Sequence, residues 1–373
     1  MSIGKIRVGV VGASPERSWA ARAHLPALSA LPEYELTAVA TSREESARAA
    51  AEHFGARHAF TDGLELAASP DVDLVVVAVR VPAHFPLVEA ALAAGKHVYC
   101  EWPLGRTTKE AEVLAQAAAG SGGHHAVGLQ ARLSPAVQYT RRLIADGYLG
   151  QVTSATVHGT RSRGTTNRIP DWAAYVLDRD SGAGTLEVAG GHTLDALEQV
   201  LGPVVQLSAA LATRRTDFVL AGTGAPFQAT AADNVLVQAR LADGTPVSVH
   251  LHDGRVTEAG TSIEIAGTEG TLTLETTGAG SASGIQISEL RLTGSTLAEG
   301  GTPHGLTVPA DYRVVPETLP ELGVLNVAQT YARLAEDIRR GTHTVADFDA
   351  ALRLHRLLDG VRASDEAGTR WAA

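Results

Sequence analysis

The sequence predicts an α/β fold whose N-terminal part is a doubly wound parallel sheet, and three observations carry the prediction. The first is an apolar run, Ile6 to Val11, that passes straight into a glycine-bearing turn at Gly9 and Gly12. The second is a pair of further apolar runs, Tyr34 to Ala40 and Val72 to Val79; the latter is Val, Leu and Ala apart from one Asp. Continuous runs of this kind suit strands buried on both faces of a parallel sheet. The third is the presence of helix-favouring stretches between and after them, at Ala20 to Leu31, Glu44 to Phe54 and Pro86 to Ala94. The resulting order is βαβαβ, a dinucleotide-binding half-domain.

Taken in order, the first element is a strand followed by a tight turn and a helix start. That order leaves backbone N–H groups where a phosphate can sit, with the partial positive charge of a helix N-terminus behind them. Gly9 and Gly12 allow the close approach, but Ser14 stands where a second loop glycine is usual. The third small position is displaced to Ala20, beyond an insertion that contains Ser18 and Trp19. Gly9, Gly12, Ser14, Trp19 and Ala20 are the predicted phosphate-side contacts. The second strand ends Val39-Ala40-Thr41-Ser42-Arg43, with no acid to accept from both ribose hydroxyls. Ser42 and Arg43 instead suit a 2′-phosphate, which ranks NADP ahead of NAD. The competing reading makes Ser42 a helix cap before Glu44-Glu45 and leaves Arg43 in solvent.

Composition frames the rest. A chain of 373 residues with 45% hydrophobic content suits two domains with substantial cores. It contains no 18-residue apolar run and no signal-peptide cleavage pattern, so neither a membrane partner nor secretion is expected. The single cysteine, Cys100, rules out an internal disulfide and fits a reducing cytoplasm. A net charge of −10 without a basic block argues against nucleic acid. Gly278 to Gly284 and Glu299 to Pro303 read as surface loops.

The segment Ala94-Gly95-Lys96-His97-Val98-Tyr99-Cys100-Glu101-Trp102-Pro103, taken with the opening turn, resembles the Gfo/Idh/MocA oxidoreductase family, whose members carry A-G-K-H-V-x-x-E-K-P. The resemblance extends over nearly the whole chain. It includes Ala232-Asp233-Asn234 leading a strand, and Ile263 to Leu272. It implies a dinucleotide-binding domain, residues 1–127, and then an α/β domain, residues 128–373, built on a large, open, mostly antiparallel sheet. Late helices, Val327 to Arg340 and Asp347 to Val361, would pack back on that sheet or on the first domain. One face of the sheet would mediate a homodimer or homotetramer. Glu101 would lie by the cofactor, as would Arg80, Pro82 and His84 after the third apolar run.

Two departures matter for chemistry. The family's lysine is Trp102 here. Its second motif, G-G-G-x-L-x-D-x-G-x-H-x-x-D, falls without gaps on Gly182 to Asp195, where the inner Asp becomes Val188 while His192 and Asp195 remain. Glu187 is adjacent, but one residue along a helix turns a side chain by about 100°. Oxidising an alcohol leaves a proton that some group must take; an indole cannot, whereas an imidazole titrating near roughly pH 6.5 can. His192 is therefore the predicted acid/base, oriented by Asp195. Trp102 is expected at the mouth of the pocket as a stacking platform. Its E-W-P sequence and the stretched turn resemble the branch that includes the fungal galactose-pathway repressor, a dinucleotide-binding regulator.

Between the two motifs, Arg161, Arg163, Arg168, Trp172 and Tyr175, with Asn167 and Asp171, are expected to line the substrate cleft. Arginines beside aromatics suit a carboxylated or phosphorylated ligand, or a glycoside. His124-His125 and His250-Leu251-His252-Asp253 raise a metal reading, which is set aside because no third ligand is evident. Three functions follow from these residues. The first is NAD(P)-dependent oxidation of a sugar-like or polyol alcohol. The second is a dinucleotide-bound regulator without turnover, and the third a net non-redox reaction through transient oxidation.

Overall fold

The structure, a computed structural model, describes residues 4–16, 18–161, 166–254, 260–278, 284–320 and 323–373. The chain forms two compact units. One is Met1–Gln130 with Arg313–Arg353, and the other is Ala131–Tyr312 with Leu354–Ala373. The division thus falls at 130/131 instead of 127/128, and a late segment belongs to the first unit.

The first unit is a six-stranded parallel sheet. Its strands are β1 (Ile6–Val11), β2 (Tyr34–Ala40), β3 (His58–Phe60), β4 (Leu74–Val77), β5 (His97–Glu101) and β6 (His125–Gly128). Their order, β3-β2-β1-β4-β5-β6, is that of a doubly wound dinucleotide fold. All four residues of β4 are buried, as a strand covered on both faces must be. Helices α1 (Leu25–Ala30), α2 (Glu44–Phe54), α3 (Gly63–Ala68), α4 (His84–Ala93) and α5 (Thr108–Ser121) connect the strands. Asp62 and Thr107 cap α3 and α5, each accepting from a backbone N–H of the first turn. The core continues into the late segment. Val324, Val327, Tyr331 and Leu334 of the helix Val324–Arg340 cluster with Val8, Val10, Leu28, Tyr34, Leu74 and Tyr99.

Glycine is required within β1 and at the turn after it, for two separate reasons. A Cβ on Gly9 would lie 2.6 Å from Leu66 Cδ2, so α3 packs against bare backbone there. Gly12 has φ +97°, and a Cβ on it would lie 2.6 Å from the Ala78 carbonyl oxygen. Gly12→Ala is therefore expected to cost about 1–3 kcal/mol. The check is a lower urea midpoint at an unchanged m-value; an unaltered midpoint would count against the strain.

The second unit is built on a nine-stranded sheet whose pairs are antiparallel except at one junction. Its strands are β7 (Val152–Arg161), β9 (Val204–Ala212), β12 (Asn234–Leu241), β13 (Pro246–Asp253), β14 (Thr261–Gly267), β15 (Gly270–Thr277), β16 (Glu289–Thr296), β17 (His304–Gly305) and β18 (Trp371–Ala372). The order is β17-β16-β15-β14-β7-β13-β12-β9-β18, with β13 and β7 parallel. A small sheet of β8 (Arg168–Ile169), β10 (Asp217–Leu220) and β11 (Pro226–Gln228) stands apart from it. Period-two burial is plain along β12 and β13, where Val235, Val237, Val247, Val249 and Leu251 face inward. Helices α6 (Pro135–Ala145) and α7 (Gly191–Leu201) belong to this unit. The last helix, α9 (Phe348–Ala367), follows Val324–Arg340 (α8) and runs from one unit's residues into the other's. The fold class expected from sequence is the one observed.

Candidate functional site

In the first unit the turn after β1 closes on itself more than its sequence suggests. The amides of Gly12 and Ala13 donate to the Ala40 carbonyl, at 2.9 and 3.3 Å. Ser18 Oγ donates to the Ser14 carbonyl at 2.6 Å and accepts from the Ala21 amide at 3.0 Å. Ser18 thereby does the work of a helix cap ahead of a π-helical stretch, Ala20–His24. Trp19 Nε1 is buried with no hydrogen-bond partner. A buried N–H without an acceptor is unusual and fits a site built for an anion. The Gly12 and Ala13 amides are thus already taken by Ala40, and the Trp19 N–H is left as the unpartnered donor at this turn.

At the tip of β2, Ser42 and Arg43 are both exposed. Arg43, and not Ser42, occupies the N-cap position of α2, and its side chain makes no capping bond. After β4, Arg80 and Pro82 are exposed at a short 3₁₀ turn, Val81–Ala83. His84 differs from the expectation. It is buried, with Nδ1 2.8 Å from the Pro103 carbonyl and Nε2 3.1 Å from the Val79 carbonyl. The ring is thus enclosed by backbone carbonyls, to one of which its single N–H donates, and by the Cys100 thiol 3.4 Å from Nδ1, which makes His84 a brace between two loops instead of a cofactor contact. Burial pushes its pKa down.

Glu101 ends β5 in a hydrogen-bonded setting that the sequence did not reveal. Gln130 Nε2 donates to Oε1 and Oε2 at 2.9 and 3.0 Å, and His24 Nε2 lies 3.0 Å from Oε1. His24 Nδ1 is 2.7 Å from the Tyr331 hydroxyl. His24 thus links the Tyr331 hydroxyl to the Glu101 carboxylate, with Nε2 donating to Glu101. His24 was hidden as one polar residue within an apolar helical stretch, and Tyr331 lies 307 residues away in sequence. Trp102 also differs from the expectation: it is 5% exposed, so its ring is buried and not an open platform.

In the second unit, the motif Gly182 to Asp195 forms a π-helical segment, Thr185–Gly190, continuing into α7. His192 sits in the first turn of α7, 5% exposed, and its Nδ1 is buried without a partner. Burial first, and then the charge of Arg161, lower its pKa to about 3. Asp195 does not orient it. The carboxylate, 1% exposed, instead accepts from Arg132 Nε at 2.9 and 3.0 Å. Glu187 is turned elsewhere and pairs with Arg362 of α9 at 2.7 Å. Arg161, at the end of β7, lies 3.9 Å from Asp253 Oδ1 through its Nε.

The other expected substrate residues are spread out. Arg168 is exposed on β8, Trp172 is 54% exposed on a 3₁₀ segment, and Tyr175 is half-buried on the same segment. Arg163 lies outside the described residues, as do positions 279–283 of the expected loop. His250 and His252 do share a face of β13, and His158 of β7 joins them, with ring centroids 5.1–5.8 Å apart. No group of three or more His, Cys, Asp or Glu among the described residues is arranged to hold a metal ion. Nor is any described helix long and apolar enough to cross a membrane.

A parallel dinucleotide sheet, followed by a unit that joins a mixed sheet to a helix bearing a buried motif histidine, defines a two-part oxidoreductase architecture. Residues 6–129 match the family described as "Oxidoreductase family, NAD-binding Rossmann fold", and residues 135–276 match "Gal80p, C-terminal domain". The chain belongs to the Gfo/Idh/MocA oxidoreductase family, whose members include Gal80. It is 31% identical to dTDP-3,4-didehydro-2,6-dideoxy-alpha-D-glucose 3-reductase of Streptomyces violaceoruber, over 74% of each chain. It is 36% identical to the dehydrogenase aclE of Aspergillus oryzae over 55% of its own length and only 57% of the other's. Against the galactose/lactose metabolism regulatory protein of Saccharomyces cerevisiae identity is 27%, covering 92% of this chain and 82% of that one. Levoglucosan dehydrogenase, solved with NADH and L-sorbose, shares the fold at a TM-score of 0.85 and 20% identity, covering 99% of both chains.

Proposed function

We propose that this protein is an NAD(P)-dependent oxidoreductase acting on the alcohol or carbonyl of a sugar-like or polyol substrate, with His192 as its acid/base. The observation that carries the reading is the unpartnered, buried Nδ1 of His192 within the family motif. A native protein rarely leaves such an atom without a partner, and a substrate hydroxyl would complete it. Burial keeps the ring neutral at physiological pH, so it has a lone pair to offer the alcohol proton, at a cost in basicity that a bound substrate would have to offset. A bound nicotinamide nucleotide supplies the hydride acceptor. Gly9, Gly12, Ser14, Trp19 and Ala20 would hold its diphosphate, with Glu101, steadied by His24 and Gln130, at the end of β5. Exposed Ser42 and Arg43, with no acid at the tip of β2 ahead of them, favour NADP over NAD. The outer sheet face bearing His158, His250 and His252 would serve for self-association into a homodimer or homotetramer.

A second reading rests on Trp102 and Val188, which replace a lysine and an aspartate of the family, and on the likeness to the yeast regulator. It makes the protein a dinucleotide-bound sensor without turnover. The experiment offers NADP or NAD with neutral sugars and polyols and follows absorbance of the reduced nicotinamide. Turnover is the expected result. Tight nucleotide binding with no turnover on any member would favour the sensor, and product without net cofactor change a non-redox reaction.

A further inference from the structure

Four histidines gather at the end of the parallel sheet away from the turn after β1. His97 and His125 are the first residues of β5 and β6, His124 precedes β6, and His343 lies between α8 and α9. The His343 ring lies flat on that of His124, with centroids 4.7 Å apart and planes at 12°. The His97 ring stands 5.5 Å from the same His124 ring. His124, His125 and His343 border a cavity of about 290 Å³, with Asp347 and Asp349. In the loop that carries His343, the Ala346 carbonyl accepts from the Val127 amide of β6 at 2.8 Å. Residues 341–347 are thereby fastened beside that strand.

The arrangement suits neutral rings only. His97 Nδ1 accepts from the His124 amide at 2.9 Å, and an imidazolium carries an N–H on both nitrogens and accepts at neither. A charge on His124 or His343 would also face its stacked neighbour, and most of the surrounding carboxylates are engaged. Asp337 of α8 accepts from the Thr342 and Thr344 hydroxyls and from the Thr344 and Val345 amides. Asp73 is held by Arg7, and Asp347 Oδ1 accepts from the Ala350 amide. Asp349 is exposed, and Lys96 is turned to the Ser69 and Val72 carbonyls. Burial first, and then the neighbouring imidazoles, push the pKa values of His97 and His124 down, and that of His125 to about 4 in spite of Asp347. Each lowered ring therefore favours the closed loop fully above roughly pH 6.5, and progressively less as acidity increases below it.

We propose that this histidine cluster is an acid-sensitive latch: neutral, it holds residues 341–347 against β6, and protonated it lets that loop go. The loop lies within the late segment that completes the nucleotide-binding unit, so the latch places closure of that unit under pH control. It operates whether the bound nucleotide is turned over or only sensed.

The test is hydrogen–deuterium exchange of the full chain at pH 7, 6 and 5, corrected for the intrinsic pH dependence of exchange. Amides 342–347 are read against those of β4, residues 74–77. Protection of 342–347 is expected to fall about tenfold or more between pH 7 and 5 while 74–77 hold, a comparison that needs no variant. His343→Phe keeps a stacked ring that takes no proton, and His124→Gln removes the central imidazole. Each is expected to narrow the loss to about threefold or less. Equal protection of the loop at pH 7 and 5 in the wild type would overturn the proposal. So would an undiminished loss in both variants, which would assign the sensor to another group. A matching loss in 74–77 would mean general acid unfolding, and would overturn it too.

Discussion

His192→Ala is expected to lower kcat by about 10²- to 10⁴-fold, the usual share of a positioned acid/base, while NADP affinity stays within a few-fold. The imidazole belongs to the second unit's motif, whereas the turn that would hold nucleotide belongs to the first, so the two readouts separate. The pH profile adds a check. An unperturbed histidine base would switch off near roughly pH 6.5, but His192 stays unprotonated down to about 3, so alcohol oxidation should show no His192 inflection between pH 7 and 5. The same shift has a stability consequence. Unfolded, the ring takes up a proton below roughly pH 6.5, and folded it does not until about pH 3. Its contribution is therefore full above that upper value and falls by about 1.4 kcal/mol per pH unit as acidity increases through the window. Urea midpoints at pH 7 and 5 should drop further for wild type than for His192→Ala; equal drops would show the ring to be solvated.

Arg132→Ala is expected to cost about 3–5 kcal/mol, because it leaves the Asp195 carboxylate in the interior without its cation. Loss of the ion pair alone would be a smaller matter. The larger part is the desolvated charge left behind, so Arg132→Ala combined with Asp195→Asn should be less destabilised than Arg132→Ala by itself. Additive losses in the urea midpoints would show that Asp195 is relieved by water or by another donor.

Most of the sheet was legible because its signals are local. β2 and α2 begin and end where their apolar and alanine patterns do, and Gly9 and Gly12 marked the first turn. β3 was not legible: three residues, His58–Phe60, are too short to show a period. The functional sites were read less well, for a physical reason. Sequence gives residue type and spacing, but a side chain's role depends on its neighbours in space. His84 looked like a ligand and is a brace; Asp195 looked like His192's partner and belongs to Arg132. Asp253 stood in the His-Leu-His-Asp run that invited a metal reading. Its neighbours in space are Thr185 and Arg161, 68 and 92 residues away by number.

The helix Val324–Arg340 lies in the heart of a unit whose sheet begins at Ile6, and Tyr34 donates to the Tyr331 carbonyl across 297 residues of chain. On a ribosome the nucleotide-binding sheet therefore waits, with part of its core uncovered, until residues 324–340 have followed it out. The intervening unit is in effect inserted within a split domain. Cutting after Gln130 would yield a fragment stripped of its own lid of apolar side chains, one prone to clump instead of acting as an autonomous module.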